Sequence, residues 1–348
     1  MLSFKTAGFS GYGVQYSPFF DSKIAVASAA NFGLVGNGRL YVLDIGADGM
    51  IRPQSQFDTQ DGLFDLAWSE IHENQIVTAN GDGTIKLFDI TTAQPYPIKV
   101  FQEHTKEVFS VNWNLTDKNL FVSSSWDGTI KVWNPMSQGS VLSINAPATA
   151  PPRTQPIPTS QNKAHQQPNP NCIYTVNFSP HNGTMLASAH SDSSVRLFDI
   201  RSGPNPTSLI PDAHLGGECL SLDWNKYRPT VLATSGVDKA VKIWDIRNLR
   251  SPINDLRAHE YAVRKVSWSP HSQEILLSVS YDTTAFVWND TTVSGQPFIP
   301  TAHHTKGLMT SFDKHSEFVV GCDWSLFGQP GWVATVGWDE MLYVWKAV

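Results

Sequence analysis

SSSWDGTIKVW, residues 123–133, has five counterparts along the chain: TANGDGTIKLF at 78–88, SAHSDSSVRLF at 188–198, TSGVDKAVKIW at 234–244, SVSYDTTAFVW at 278–288 and TVGWDEMLYVW at 335–345. In each, a Ser or Thr (Thr78, Ser123, Ser188, Thr234, Ser278, Thr335) stands four residues before an Asp (Asp82, Asp127, Asp192, Asp238, Asp282, Asp339). A Phe or Trp (Phe88, Trp133, Phe198, Trp244, Trp288, Trp345) stands six residues after it. Asp-Gly and its relatives make tight hairpin turns. The flanks alternate apolar and polar, as in Ile130-Lys131-Val132-Trp133, which is the period of a half-buried strand. The aspartates lie 45, 65, 46, 44 and 57 residues apart, so the underlying period is close to 45 and the two long intervals carry extra sequence.

A further strand precedes each pair: LAWS at 66–69, VNWN at 111–114, VNFSP at 176–180, LDWN at 222–225, VSWSP at 266–270 and CDWS at 322–325. A degenerate seventh unit opens the chain, with Val14–Pro18, Ile24–Ala27 and NGRLYVLDI at 37–45 in the places of its three strands. This pattern resembles the WD40 repeat family over essentially the whole chain. It implies an all-β fold, a single seven-bladed β-propeller over 1–348. The last blade stops after its third strand, at Trp345, and Leu2–Lys5 is the candidate to complete it and remove an open sheet edge.

Four units add a histidine 23 or 24 residues before the Asp: His104, His214, His259 and His315. With Ser123, Asp127 and Trp133, with Thr234, Asp238 and Trp244, with Ser278, Asp282 and Trp288, and with Thr335, Asp339 and Trp345, they form four sets that mimic a hydrolase triad. A triad is needed once, beside a pocket. Four copies at structural spacing point to buried hydrogen-bond chains, which persist only when every polar group is paired. Blades two and four lack that histidine and blade one lacks most of the set, and all three are expected to rely more on apolar packing.

Bulk properties narrow the function. The 348 residues are 41% hydrophobic and carry a formal charge of -6, which disfavours a nucleic-acid partner and weakly favours a basic one. Cys172, Cys219 and Cys322 lack paired spacing and read as reduced thiols. No run is apolar enough to span a bilayer, and MLSFKTAGFS lacks the core of a signal peptide. His165, His303 and His304 sit in loops without nearby ligand residues, and neither Gly11-Tyr12-Gly13 nor Gly36-Asn37-Gly38 has the context of a phosphate loop. No metal and no cofactor is expected, and the chain reads as a binding platform rather than an enzyme. Residues 145–171, rich in Pro, Gln and Asn, read as a mobile loop insert before blade four, and 291–312 as a shorter insert before blade seven.

In a propeller, the loops entering the first strands and the Asp-bearing turns share one face. Alignment places Tyr12, Phe64, Phe109, Tyr174, Leu220, Arg264 and Val320 before the inner strands, and Trp126, Val237, Tyr281 and Trp338 before the turn aspartates. Asp61, Glu107, Glu218 and Glu317 lie near them. This rim is aromatic and acidic, with Arg264 the exception. It suits a ligand with an apolar face and basic ends, such as an amphipathic helix.

Stretches outside the repeat signature are more specific. GFSGYGVQYSPFF at 8–20, NFGLVGNGRLYVLDI at 31–45, TQDGLFDLAW at 59–68, EVFSVNWN at 107–114, NKYRP at 225–229 and SEFVVGCDWSLFGQPGWVATVGWD at 316–339 resemble the family of peroxisomal targeting signal type 2 receptors, the seventh peroxin. The resemblance implies a cytoplasmic import receptor that shuttles to the peroxisome, at its membrane or in its matrix. Such a receptor binds the amphipathic N-terminal signal of cargo proteins, works with a co-receptor peroxin and meets a peroxisomal docking complex. The signal would lie on the rim, with acids for its basic residue and aromatics and Leu220 for its apolar face. Two other readings stand beside it: a peptide-binding WD40 subunit of a chromatin or ubiquitin-ligase complex, and a hydrolase using one His/Ser/Asp set.

Overall fold

The computed structural model describes residues 1–92, 94–146, 171–294 and 307–348. Their strands form seven four-stranded antiparallel sheets, and in six of these the strands follow chain order. The first, innermost strands are Ser10–Tyr16, Leu63–Trp68, Val108–Trp113, Ile173–Ser179, Cys219–Trp224, Val263–Trp268 and Val319–Trp324. The chain is a seven-bladed β-propeller. Blade seven alone breaks chain order: Leu2–Lys5 pairs with Met341–Lys346 as its fourth strand, Leu2 opposite Val344 and Lys5 opposite Met341. The clasp continues past the strand, where Thr6 N–H and Gly8 N–H donate to the backbone and side chain of Glu340 at 2.8 and 3.0 Å. Phe4 sits edge-on to Tyr41 of blade one at 5.9 Å, so the closing strand also seals the neighbouring interface.

Core residues lie between blades. Ala25, Leu40, Val42 and Phe57 of blade one pack on Leu66, Trp68, Ile76 and Phe88 of blade two, and an equivalent cluster fills each of the seven interfaces. Each buried aromatic or aliphatic side chain contributes roughly 1.5–3 kcal/mol, so the ring is held by many similar seams. The residue before the first-strand aromatic ties the inner ring: Gln15 Oε1 accepts from Trp68 N–H, Asn112 Oδ1 from Phe178 N–H, Asp223 Oδ2 from Trp268 N–H and Asp323 Oδ2 from Tyr16 N–H, at 2.7–3.0 Å.

The four histidine sets are buried hydrogen-bond chains. In blade three, Trp133 Nε1–H donates to Ser123 Oγ at 2.8 Å, and Ser123 Oγ meets His104 Nε2 at 2.8 Å. His104 Nδ1 meets Asp127 Oδ2 at 3.0 Å. Asp127 cannot donate when ionised, so Nδ1 carries the proton and Nε2 accepts from the hydroxyl. The same carboxylate also accepts from Thr105 N–H, Thr129 N–H and the Thr129 hydroxyl at 2.6–3.0 Å. Blades five, six and seven repeat the geometry through His214, His259 and His315, with histidine-to-Asp distances of 2.6, 2.8 and 2.9 Å.

Blades two and four correct the expectation of mainly apolar packing. Thr78 and Ser188 are fully buried, and a buried hydroxyl needs a partner. In blade four, His190, two residues after Ser188 on the same strand, meets its hydroxyl at 2.6 Å, and Asn171 Nδ2–H reaches His190 Nδ1 at 3.2 Å. Burial, with Arg196 adding to it, lowers the His190 pKa to about 3, so the ring is neutral. In blade two, Asn80 sits beside Thr78, its Oδ1 at 3.3 Å from the threonine hydroxyl, and its Nδ2–H groups donate to the carbonyls of Thr78 and Thr84.

The insert boundaries also shift. Residues 308–312 are not insert: Leu308–Phe312 is the fourth strand of blade six, alternating inward and outward, with Phe312 stacked on Trp345 at 4.5 Å. The extra sequence therefore interrupts blade six between its third and fourth strands, after a short 3-10 turn at Thr291–Ser294. Asn145 ends the fourth strand of blade three, and Asn171 is buried in blade four. Residues 147–170 and 295–306, including His165, His303 and His304, lie outside the described residues.

Asp127→Ala is expected to lower stability by about 1–3 kcal/mol in denaturant unfolding, because four donors lose their acceptor; an unchanged midpoint would contradict the chain of bonds. Acid should act through the same groups. Burial works to raise the carboxyl pKa of Asp238 and Asp282, but His214 with Lys242, and His259 with the Thr284 hydroxyl and Glu260 N–H, together outweigh it and hold both at about 2. A carboxylate lowered by folding stabilises the fold above its unfolded pKa of roughly 4 and loses that contribution as pH falls towards 2. Burial lowers the His214 pKa despite Asp238, so protonation of the unfolded chain opposes folding below roughly pH 6.5. The melting temperature should decline gently below pH 6.5 and steeply between about 4 and 2; a flat profile from pH 5 to 2.5 would exclude this account.

Candidate functional site

Pairing between first and second strands slips by one residue at one upper position in every blade. The residues left out of the ladders are Tyr12, Phe64, Phe109, Tyr174, Leu220, Arg264 and Val320. A bulge frees one residue and re-aims its side chain. Here it turns six of them to the mouth of a central channel of about 240 Å³. Leu220 does not line the channel and is only 4% exposed; its carbonyl instead accepts from Thr175 and Arg264. Phe64 and Val320 are also buried and support the rim from below.

The aromatic members touch in sequence. Tyr281 packs on Phe318 at 4.8 Å, Phe318 on Trp338 at 5.2 Å, and Trp338 on Tyr12 at 5.8 Å. Tyr12 meets Phe64 edge-on at 5.2 Å, Phe64 stacks on Phe109 at 4.7 Å, and Phe109 stacks on Trp126 at 4.5 Å with planes 3° apart. Tyr174 closes the series edge-on to Trp126 at 6.2 Å. These rings form one arc from blade six through blades seven, one, two and three to blade four. The indole N–H groups of Trp126 and Trp338 have no acceptor among the described residues, a cost of roughly 1–3 kcal/mol each at a rim otherwise well packed.

Charge is distributed around the arc. Arg264, from blade six, reaches across the mouth: its guanidinium lies 6.0 Å from the Phe109 ring. Burial, with the nearby Glu218 charge, pushes the Tyr174 pKa well above the usual tyrosine range. Asp61 accepts from Gly62 N–H at 2.7 Å. Among the described residues Glu107 and Glu317 have no ion-pair partner. Arg264 is not the one basic exception, however. Lys106 is exposed beside Glu107, and Lys239 lies over the Tyr261 ring at 5.8 Å.

Sequence reasoning missed the loop between the second and third strands of blade one. Asn31 and Phe32 both take positive φ, 48° and 57°, which is strained for residues with a side chain. Tyr12 Oη–H donates to Phe32 C=O at 2.6 Å, and the Phe32 ring packs on Trp338 at 5.6 Å. The loop thereby holds Leu34 and Val35, 85% and 71% exposed, beside the arc. The exposed apolar pair in NFGLVGNG was the available signal. Phe318, between Tyr281 and Trp338, was missed because it precedes its bulge by two residues.

None of the four histidine sets opens onto this face as a nucleophile would. Their histidine side chains are at most 1% exposed, and each hydroxyl is bonded both to histidine and to the indole. Among the described residues there is no cluster of potential metal ligands, and no helix is long and apolar enough to cross a membrane.

Comparison with known proteins agrees with this architecture. A model of the WD domain, G-beta repeat, matches residues 95–134, and an EIPR1 beta-propeller model matches residues 159–288. The peroxisomal targeting signal 2 receptor of Komagataella phaffii is 51% identical over 99% of both chains. That of Saccharomyces cerevisiae is 46% identical over the full length of both. The human receptor is 34% identical over 91% of this chain and 86% of its own. With such identity sustained along its length, this propeller belongs to the family of peroxisomal targeting signal 2 receptors.

Proposed function

We propose that the chain is an import receptor that binds the type 2 peroxisomal targeting signal at the N-terminus of cargo proteins. The signal lies as an amphipathic helix along the upper face. The observation that carries this reading is the unbroken aromatic arc from Tyr281 to Tyr174 on one face of the ring. Large aromatic side chains clustered at a rim are what protein interfaces use as anchors. Phe109, stacked on both sides and held rigidly, is the anchor for the apolar stripe of the helix. Asp61, Glu107, Glu218 and Glu317 receive the basic residue of the signal, and Arg264, Tyr281, Trp126, Tyr174 and Trp338 frame the remainder.

A helix of a few turns has little surface, and ordering it opposes binding. A co-receptor peroxin that closes over the exposed side of the helix supplies the missing area, and the apolar pair Leu34 and Val35 is placed to meet it. The loaded complex then docks at the peroxisomal membrane, and the receptor shuttles between cytoplasm and peroxisome. Exposed ion pairs are worth only about 0–1 kcal/mol each, so the acids orient the helix more than they hold it.

Titration of a labelled type 2 signal peptide by fluorescence anisotropy tests the placement. Asp61→Lys and Glu107→Lys should each weaken binding a few-fold, by about 1 kcal/mol or less, with the melting temperature nearly unchanged. Phe109→Ala should cost more, about 2 kcal/mol or some thirtyfold, as a buried anchor does. Normal binding by both charge-reversed proteins would refute the assignment of the basic end, and normal binding by Phe109→Ala would remove the signal from the arc.

A further inference from the structure

The lower mouth of the channel has its own ordered surface, made by the seven turns that join first to second strands. Each turn starts with a Ser or Asn, and in most of them this side chain accepts from backbone N–H groups two and three residues on, as Ser69 does from Ile71 and His72 and Asn225 does from Tyr227 and Arg228. These bonds hold the next two residues outward in fixed directions. At the first of these positions Pro18, Leu115, Pro180, Pro270 and Leu326 line the channel mouth, together with the charged Glu70 and Lys226 of the other two blades. At the second stand Phe19, Ile71, Tyr227 and Phe327. Phe19, Ile71, Leu115, Tyr227, Leu326 and Phe327 are all 37–49% exposed. Exposed apolar side chains scattered singly need no explanation, but here they recur at equivalent positions round one opening.

The charges in these turns are one-sided. Their lysines and arginine are already paired: Lys118 with Glu70 at 3.4 Å, Lys226 with Asp223 at 2.7 Å and Arg228 with Asp290 at 2.8 Å. Asp21, Glu73, Asp117 and Glu274 have no basic partner among the described residues. The lower mouth is thus a mostly apolar ring, interrupted by the paired Glu70 and Lys226, inside a net negative border. We propose that it is a second docking surface, separate from the cargo face, for a segment of a partner protein that carries apolar side chains flanked by lysines or arginines. The acids disfavour a second copy of this chain, which would bring like charges together, and an anionic membrane surface for the same reason. The proposal is independent of the receptor reading and lets the ring hold two partners on opposite faces.

Hydrogen exchange on the full chain, with a type 2 signal peptide present in excess, tests it using a short leucine–lysine peptide and its leucine–glutamate counterpart as probes. The basic probe should protect the turns at 114–120 and 325–331, and its affinity should fall at least about tenfold in the Leu115→Glu, Leu326→Glu double variant. The acidic probe should not bind there. Signal-peptide affinity should be the same in that variant and in the unaltered chain, which separates this test from that of the upper face. Protection confined to the upper rim, equal binding of the acidic probe, or concentration-dependent self-association abolished by the double variant would each overturn the proposal. Should the double variant lose its fold by circular dichroism, Leu115→Ser with Leu326→Ser serves instead with the same expected loss.

Discussion

A ring of sheets has to close, and closure is the constraint on which everything else here depends. Each blade buries one flank against the blade before it and the other against the blade after it, so an open ring would leave two apolar flanks in water. The seven clusters between blades are comparable in kind, each an aromatic set against aliphatic side chains. The last of them is covered by Leu2 and Phe4, which come back to blade seven and to Tyr41 of blade one. Closure also fixes the distances across the channel. Arg264 meets the Phe109 ring from three blades away only because the ring between them is complete.

Within that ring, polar groups divide into two jobs. The buried histidine chains lock the second strand, the third strand and the entering loop of one blade to one another. The inner side chains Gln15, Asn112, Asp223 and Asp323 lock one blade to the next through backbone N–H groups. Asp323 shows the strain of the second job: burial raises its carboxyl pKa to about 6, against the opposing hydrogen bond from Tyr16 N–H. The Asp323 carboxylate joins the last blade to the first, adding a side-chain bond to the covalent link that the closing strand already makes there.

The repeat was legible because its residues are local. Asp, the hydroxyl four residues before it and the aromatic six after it lie on one hairpin, so spacing alone revealed them. The closing strand was legible from a count of strands. What escaped was three-dimensional substitution. His190, on the second strand, stands in for the histidine that other blades place some twenty residues earlier in the loop entering the first strand, and no fixed spacing signals that exchange. The fourth strand of blade six escaped because Leu308–Phe312 lies beyond an interruption and carries no turn signature of its own. Alignment picked out the seven positions that bulge, yet not the bulge itself, since a register slip leaves no residue type behind. It also could not show that Leu220 turns away from the channel while Arg264 spans it.

Both faces grow from the same seven inner strands, and this explains how one fold presents two chemically different surfaces. At the upper end the register slips, so each strand releases one side chain whose identity is free of the ladder: aromatic in four blades, aliphatic in two, arginine in one. At the lower end a Ser or Asn bonds the turn to itself, so the next two residues are held outward whatever they are. Neither end needs its outward side chains for folding, because the cores lie between the blades and the hydrogen-bond chains lie within them. The two rims can therefore change independently, and an aromatic arc above with an apolar, acid-bordered ring below is a division that the architecture permits at little cost to the ring itself.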